Sequence, residues 1–447
     1  MKRHYPVLLL AGAVAAGYLN SFPGAFQFDD YNVIVENGGV HTWRAFLAGL
    51  SRGIRPLLKF TYTLNWTSGL GLFGFHLVNV TLHAANAVML FFLASRIGGL
   101  SVSGFAALFP ALLFAVHPVQ TEAVTCISGR SVSLMAFFYL GSILVYLRGR
   151  ERGSRILLHA ASPILFLLAV ASKEVALTLP FALVLCEAAR RERTGWKEAL
   201  RAQAVHWGLL FSLVVLFLAH AGYGRLLEAA FDIRSVASNL FTQVHGIAYL
   251  FSRLALPHDL NFDPDLPVFS GWAPVLLPEV LLLAVLVAAG FFLLSKRSPA
   301  GFGILWFFLH LVPTNSFIPR LDVANERQLY LSSWGLFVAL ATGAELLRER
   351  WGPKRVTAPA AVLVIALCAL TVSRNTVYRS EVALWEDTVR KSPGKARAWN
   401  NLGYAYDLKG RFREAESAYL QALRIDAGYA LARGNLNALK AKSESSQ

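Results

Sequence analysis

Two adjacent carboxylates, Asp29 and Asp30, stand in Phe28-Asp29-Asp30-Tyr31, shortly after the first apolar run of the chain. Such a pair can take a proton as a general base, hold a divalent cation, or cap a helix in a solvated turn. A second motif, His117-Pro118-Val119-Gln120-Thr121-Glu122 followed by Ser128-Gly129-Arg130, puts an acid and a base in one short loop. They can face a ligand or close a salt bridge with each other at a helix end. Third, Ser172-Lys173-Glu174 is squeezed between two apolar runs, so both charges must sit at a membrane surface. Either Lys173 meets a phosphate and Glu174 orients it, or the two form an internal ion pair. Fourth, Asn325-Glu326-Arg327-Gln328-Leu329-Tyr330-Leu331 leads into another apolar run. The planar fork of Arg327 suits two oxygens of a phosphate, and the bland alternative is an interfacial arginine. His117, Glu326 and Arg320 are further candidates beside these motifs. His76 and His83 read as hydrogen-bonding packers within a helix bundle rather than as metal ligands.

The elements that position these residues are set by composition. Of 447 residues, 55% are hydrophobic and only 15% are charged, against about 25% charged in a soluble domain. Apolar runs long enough for ~30 Å of hydrocarbon recur along most of the chain. They predict about eleven spans, at roughly 5–21, 76–95, 104–118, 131–147, 156–171, 175–189, 205–222, 278–295, 301–317, 331–347 and 357–373. Tyr5–Leu19 follows Lys2-Arg3-His4 like a signal peptide, but no small-residue cleavage site follows, so it reads as a retained first helix.

The net charge of +15 has a plain explanation. Basic residues cluster in the loops at Arg148–Arg155, Arg190–Arg201, Lys296-Arg297 and Arg348–Arg355, as the positive-inside rule requires. No nucleic-acid module is visible, and nucleic acid is excluded as a partner. With the amino terminus in the cytoplasm these loops fall inside, and the four polar motifs and the carboxy-terminal segment fall outside. Ser238–Pro257 is apolar enough to span, but a crossing there would flip Lys296, Arg297 and Arg348–Arg355 outward. It is therefore expected to lie on, or dip into, the outer face. Intramembrane and helix-end charges are functional candidates by default, and their gathering on one face predicts a shared aqueous cavity. Cys126, Cys186 and Cys368 show no pairing or metal spacing.

Residues 396–429 match the 34-residue tetratricopeptide pattern. Trp399, Leu402, Gly403, Tyr406, Ala415, Tyr419 and Ala422 fall on the signature positions, and Ala427 replaces the final proline. Trp385 and Pro393 mark a preceding half repeat, and Leu431–Lys442 a closing helix. Small Gly403 and Ala415 let two antiparallel helices approach, with Trp399, Leu402 and Tyr419 filling the seam. One and a half repeats fall short of the three usually needed, so the module must be propped on the membrane part or on a partner. The fold class is therefore all-α: a polytopic membrane bundle over residues 1–375 and an extracytoplasmic tetratricopeptide domain over 376–447.

The ordered set Phe28-Asp29-Asp30 with Asn37, Phe75-His76-Leu77-Val78-Asn79 with His83, His117–Val124, Gly129-Arg130, Lys173-Glu174 and Glu326–Leu331, followed by the repeat, resembles a known family. It is similar to the transmembrane and tetratricopeptide-repeat-containing O-mannosyltransferases and their bacterial relatives, across nearly the whole chain. The resemblance implies a C-type glycosyltransferase fold. Its activity would be transfer of mannose or a similar hexose from a polyprenyl-phosphate donor to a protein or glycan hydroxyl outside the cytoplasm, with inversion. On this resemblance Asp29 and Asp30 match the loop of the catalytic base, and Glu122, Arg130, Lys173, Glu174 and Arg327 the lining of the donor cavity. The expected site is a bacterial inner membrane, and the partners are membrane lipid, the lipid-linked sugar and the acceptor, held in part by the repeat. The lipid-linked sugar is a substrate; no other cofactor is required, and a divalent metal is left open. Two other classes compete. A lipid-linked sugar transporter would place polar residues at mid-membrane in two matching halves, and no duplication is visible. A membrane-anchored scaffold would leave the outward charges without a job.

Overall fold

The apolar runs form helices, and no strand occurs among the described residues. The structure, a computed structural model, describes residues 4–50, 53–97, 104–190 and 195–445. Lys2, Arg3, Arg191 and Arg193 of the basic clusters lie outside the described residues.

Among the described residues, five helices are long and apolar enough to cross a membrane: Gly71–Ala94, Ile127–Arg152, Pro274–Ser295, Glu326–Trp351 and Pro353–Arg379. Two bent pairs, Phe105–Val116 with Pro118–Val124 (53°) and Trp196–Ala202 with Ala204–Ala219 (58°), bring the number to seven. Tyr5–Ser21, Leu157–Ser172 and Pro299–Leu311 are shorter apolar helices. The eleven crossings expected are thus not confirmed among the described residues, because several of the apolar runs form helices shorter than a full span. Pro118 lacks an N–H and forces His117 into an extended conformation (φ −74°, ψ 128°), which ends the helix there. At 175–189 a 3-10 turn, Glu174–Thr178, leaves an eleven-residue helix, Leu179–Ala189.

Close packing of helix Pro299–Leu311 against helix Leu329–Trp351 depends on glycine. A Cβ on Gly303 would lie 2.1 Å from the carbonyl oxygen of Gly335, and one on Gly335 would lie 2.2 Å from that of Gly303. Backbones meet directly there, as they do where small residues drive helix association in lipid. Buried polar side chains tie the other helices together. His83 Nδ1 lies 2.9 Å from the Tyr330 hydroxyl, Asn86 donates to the same oxygen at 3.0 Å, and His76 Nε2 lies 3.0 Å from the Gly24 carbonyl. Both histidines therefore serve as hydrogen-bonding packers.

The helix Arg130–Arg152 defines two faces of the bundle. Its 23 residues extend about 34 Å at ~1.5 Å each. At its far end Arg150 pairs with Glu187 (2.8 Å) and Glu198 (3.1 Å) in the basic region. At its near end stand the polar motifs. Val236–Ala255 lies along this near face. Ser238 donates to the Phe269 carbonyl and Asn239 to that of Ser316, while the Leu254 carbonyl at its other end meets His117.

The carboxy-terminal helices Glu381–Lys391, Ala396–Leu408, Phe412–Ile425 and Ala430–Ser445 form the half repeat, the repeat and the closing helix. Tyr419 is fully buried over Gly403. The module is propped on the bundle's near face. Arg397 pairs with Asp322 (2.5 Å) and Asp263 (2.5 Å), Lys395 also reaches Asp263, and Arg374 pairs with Asp387 at 2.9 Å. Trp385 packs edge-on against Phe28 and Phe262 at 5.4 and 5.5 Å between ring centroids.

Candidate active site

A cavity of about 710 Å³ opens on the near face. Four separate chain segments deliver its charges: Asp29 from the first loop, Arg55 from the second, Lys173 and Glu174 from the turn after Ser172, and Arg320, Asp322 and Arg327 from the stretch before the Glu326–Trp351 helix. The repeat contributes Arg397. Val132, Met135 and Leu331 line it with apolar surface.

Asp29 and Asp30 part company despite being adjacent. Asp29 is partly exposed in the cavity, where Arg327 Nη1 donates to its Oδ2 at 3.3 Å. Asp30 is fully buried and does not reach the cavity. Its Oδ2 accepts the Gln27 amide at 2.9 Å and its Oδ1 the Ser128 amide at 2.7 Å. It pins the first loop to the Ser128-Gly129 turn. The turn is itself tight, since a Cβ on Gly129 would lie 2.5 Å from the Glu122 carbonyl oxygen.

Burial pushes the Asp30 carboxyl up to about 7, against the two amides that favour its charge. The folded value thus exceeds the unfolded value of 3.8, so unfolding releases a proton between those limits. Stability is full below pH ~4, falls by up to ~1.4 kcal/mol per pH unit towards pH 7 and flattens above it. Asp30→Asn is expected to abolish that slope. It should also cost ~1–3 kcal/mol at low pH, because the amide NH₂ faces a backbone donor. Thermal unfolding of detergent-solubilised protein from pH 4 to 8 checks both; an unchanged slope in the variant would refute the assignment.

Glu122 does not pair with Arg130. It is buried behind the cavity wall, where its Oε2 accepts the Arg327 amide at 2.9 Å and its Oε1 lies 3.0 Å from Arg327 Nε. It holds Arg327 by backbone and side chain together, and leaves Nη1 for Asp29. Arg130, expected in the cavity lining, is instead rooted in the protein. It donates to Asn79 Oδ1 (2.8 Å), Asn65 Oδ1 (2.6 Å) and the carbonyls of Phe75 (2.9 Å) and Thr61 (3.2 Å). Its guanidinium also lies 5.2 Å from both the Tyr62 and Phe75 ring centroids. Its forked donors suit a bundle rich in side-chain and main-chain oxygens as well as they suit phosphate.

Lys173 and Glu174 do not form the internal pair. Lys173 is extended (φ −161°, ψ 138°), which sends successive side chains to opposite sides. Glu174 takes a two-pronged pair from Arg55, at 3.0 and 2.9 Å, and a bond from the Tyr223 hydroxyl at 3.0 Å. The side chains of Lys173 and Arg320 line the cavity without a hydrogen bond or ion pair among the described residues. Burial, then the charges of Arg55, Arg327 and Arg320, push the Lys173 ammonium well below the usual lysine value. Glu326 points away, to Arg374 at 3.6 Å. His117 caps the bend, accepting the Val119 amide at 3.2 Å, and lines a separate apolar cavity.

Sequence reasoning missed Arg55 and Arg397. One local signal marks Arg55: it precedes Pro56, which disfavours the ordinary helical conformation. Arg55 adopts φ 54° and Phe28, beside Asp29, φ 45°. Left-handed conformations in such residues cost ~1–3 kcal/mol each and persist where surroundings hold them. The donor set does not fit a divalent cation. Asp29, Glu174 and Asp322 each face a guanidinium, and no group of three His, Cys, Asp or Glu suits a metal among the described residues.

Comparison with known proteins places this geometry in context. Residues 396–429 match the tetratricopeptide repeat family. The chain is 27% identical over 446 residues, 95% of its length and 63% of the relative's, to "Protein O-mannosyl-transferase F38B6.6" of Caenorhabditis elegans. It is also 27% identical to "Protein O-mannosyl-transferase TMTC3" of Mus musculus, over 94% of this chain and 51% of that protein. The human protein of the same name is 27% identical over 98% of this chain and 54% of its own length. The chain thus resembles the protein O-mannosyl-transferases over nearly all of its residues, and spans about half to two thirds of the length of these relatives.

Proposed function

We propose that the chain is a membrane glycosyltransferase that moves mannose or a similar hexose from a polyprenyl-phosphate donor to a hydroxyl of a protein or glycan. The face that carries the cavity and the repeat is the outer one, as the basic clusters at the far end favour. The relatives' names support sugar transfer to protein. The observation that carries the reading is the cavity itself, with a carboxylate, Asp29, and two unpartnered cations, Lys173 and Arg320, in one lining.

The chemistry follows from those groups. A lipid phosphate leaves once its negative charge is met, and Lys173, Arg320 and the unspent N–H groups of Arg327 meet it as it develops. Binding the phosphate favours the charged form of Lys173 against the burial and neighbouring arginines that disfavour it. Asp29 takes the proton of the acceptor hydroxyl as that oxygen attacks the anomeric carbon. One displacement inverts that carbon. Glu122 aims Arg327, Arg55 fixes Glu174 beside Lys173, and the apolar wall receives the start of the isoprenoid chain.

The test is transfer of radiolabelled mannose from polyprenyl phosphate in membranes holding wild type, Lys173→Gln, Arg320→Gln and the double variant. Each lost charge-assisted bond is worth about 1.5–3 kcal/mol, so the donor KM should rise at least ~10-fold in each single variant. Wild-type KM and kcat in the double variant would overturn the phosphate site. A wild-type chain inactive with every polyprenyl-phosphate sugar would overturn the function.

A further inference from the structure

Asp29 stands between two anchored neighbours. On one side Asp30 is tied to Ser128. On the other, Phe28 holds a left-handed backbone that a phenylalanine does not keep unaided (φ 45°). What holds it comes from the far end of the chain. The Phe28 amide donates to both oxygens of Glu381, at 3.0 and 3.2 Å. Its ring is caught edge-on between Trp385 and Phe262, at 5.4 and 5.6 Å. Gln27 donates to the Tyr378 carbonyl at 2.5 Å. Glu381 is itself fixed, since it is buried and accepts the Trp385 indole N–H at 2.8 Å.

We propose that Glu381, at the start of the half repeat, is a positioning residue for the transfer reaction, holding the Asp29 carboxylate in the cavity through the backbone of Phe28. The half repeat is then part of the active-site machinery, beyond any role in holding an acceptor. Releasing the Phe28 amide lets that residue relax to an ordinary conformation, and rotation there swings the next side chain. Proton transfer tolerates little displacement, because its partner must lie within hydrogen-bond reach. The phosphate-binding cations come from other segments and stay in place. The loss therefore falls on kcat and spares donor binding.

The inference rests on Asp29 as the base, and the experiment separates the two. In the full-length chain in membranes, Glu381→Met keeps the volume and removes the acceptor. It is expected to lower kcat at least ~10-fold, the size of a lost bond to a charged group, with the donor KM within about two-fold of wild type. Glu381→Gln, which keeps one acceptor oxygen, should restore kcat to within about three-fold. Should Glu381→Met fail to fold, Trp385→Phe removes the N–H that orients Glu381 together with part of the ring against Phe28, and should lower kcat with KM unmoved. Wild-type kcat in Glu381→Met, or in Trp385→Phe where that variant stands in, overturns the positioning role. So does a fall in kcat with an equal rise in KM in Met and Gln variants alike. Wild-type transfer by Asp29→Asn would instead overturn the base, whatever Glu381 does.

Discussion

Asp29→Asn should lower sugar transfer by about 10²- to 10⁴-fold, the contribution of a well-placed general base, while leaving the melting temperature close to that of wild type. The two expectations come from one geometry. Asp29 is 37% exposed at its side chain, and its ion pair with Arg327 is long, at 3.3 Å. A long pair whose carboxylate is partly solvated contributes about 1 kcal/mol or less, so folding barely registers its loss. Asn is nearly isosteric but cannot take a proton. Asp30→Asn gives the mirror result, a loss of stability, with transfer falling only as far as the loop loosens. Equal transfer rates in Asp29→Asn and wild type would remove Asp29 from the reaction. The assay is initial-rate transfer at saturating donor, paired with thermal unfolding of the same preparations.

Arg327→Met is expected to be the most damaging single substitution to folding at this site. Glu122 has a side chain only 1% exposed, and Arg327 meets it through both Nε and the backbone amide. Removing the guanidinium strands a buried carboxylate, which costs about 3–5 kcal/mol. Adding Glu122→Gln removes that charge and should recover most of the stability. It should not recover transfer, because the phosphate and Asp29 still lack their arginine. Melting curves and transfer rates for the two single variants and the double variant decide the matter. A stable Arg327→Met protein would mean that the pair is not what holds the wall. Wild-type transfer by the double variant would mean that Arg327 plays no part in the chemistry.

Which motifs would meet was legible in the sequence; how their charges pair was not. Asp29, Lys173, Glu174, Arg320 and Arg327 were selected by residue type and by position beside apolar runs, and all five line one cavity. Pairing depends on which side chains the bundle brings opposite each other. The resemblance puts Arg130 in the cavity lining, and nothing in its own motif shows Asn65 and Asn79 waiting for it on other helices. Arg397 occupies the second position of the repeat, which the signature leaves unspecified, and only docking of the module brings it to Asp322. The repeat was readable because its 34-residue period is a local property. The number of full-length crossings was not, because apolar length alone does not show that helices such as Phe105–Val116, Leu179–Ala189 and Pro299–Leu311 stop short of a full span.

The bond between Phe28 and Glu381 joins residues 353 positions apart. A ribosome therefore releases the acidic loop long before its clamp, and at about 5–20 residues per second tens of seconds separate them. During that interval Asp29 is not fixed, and the cavity arginines Arg320 and Arg327 emerge only near its end. If Asp29 acts as proposed, a product truncated before Glu381 is expected to transfer sugar more slowly than the full chain.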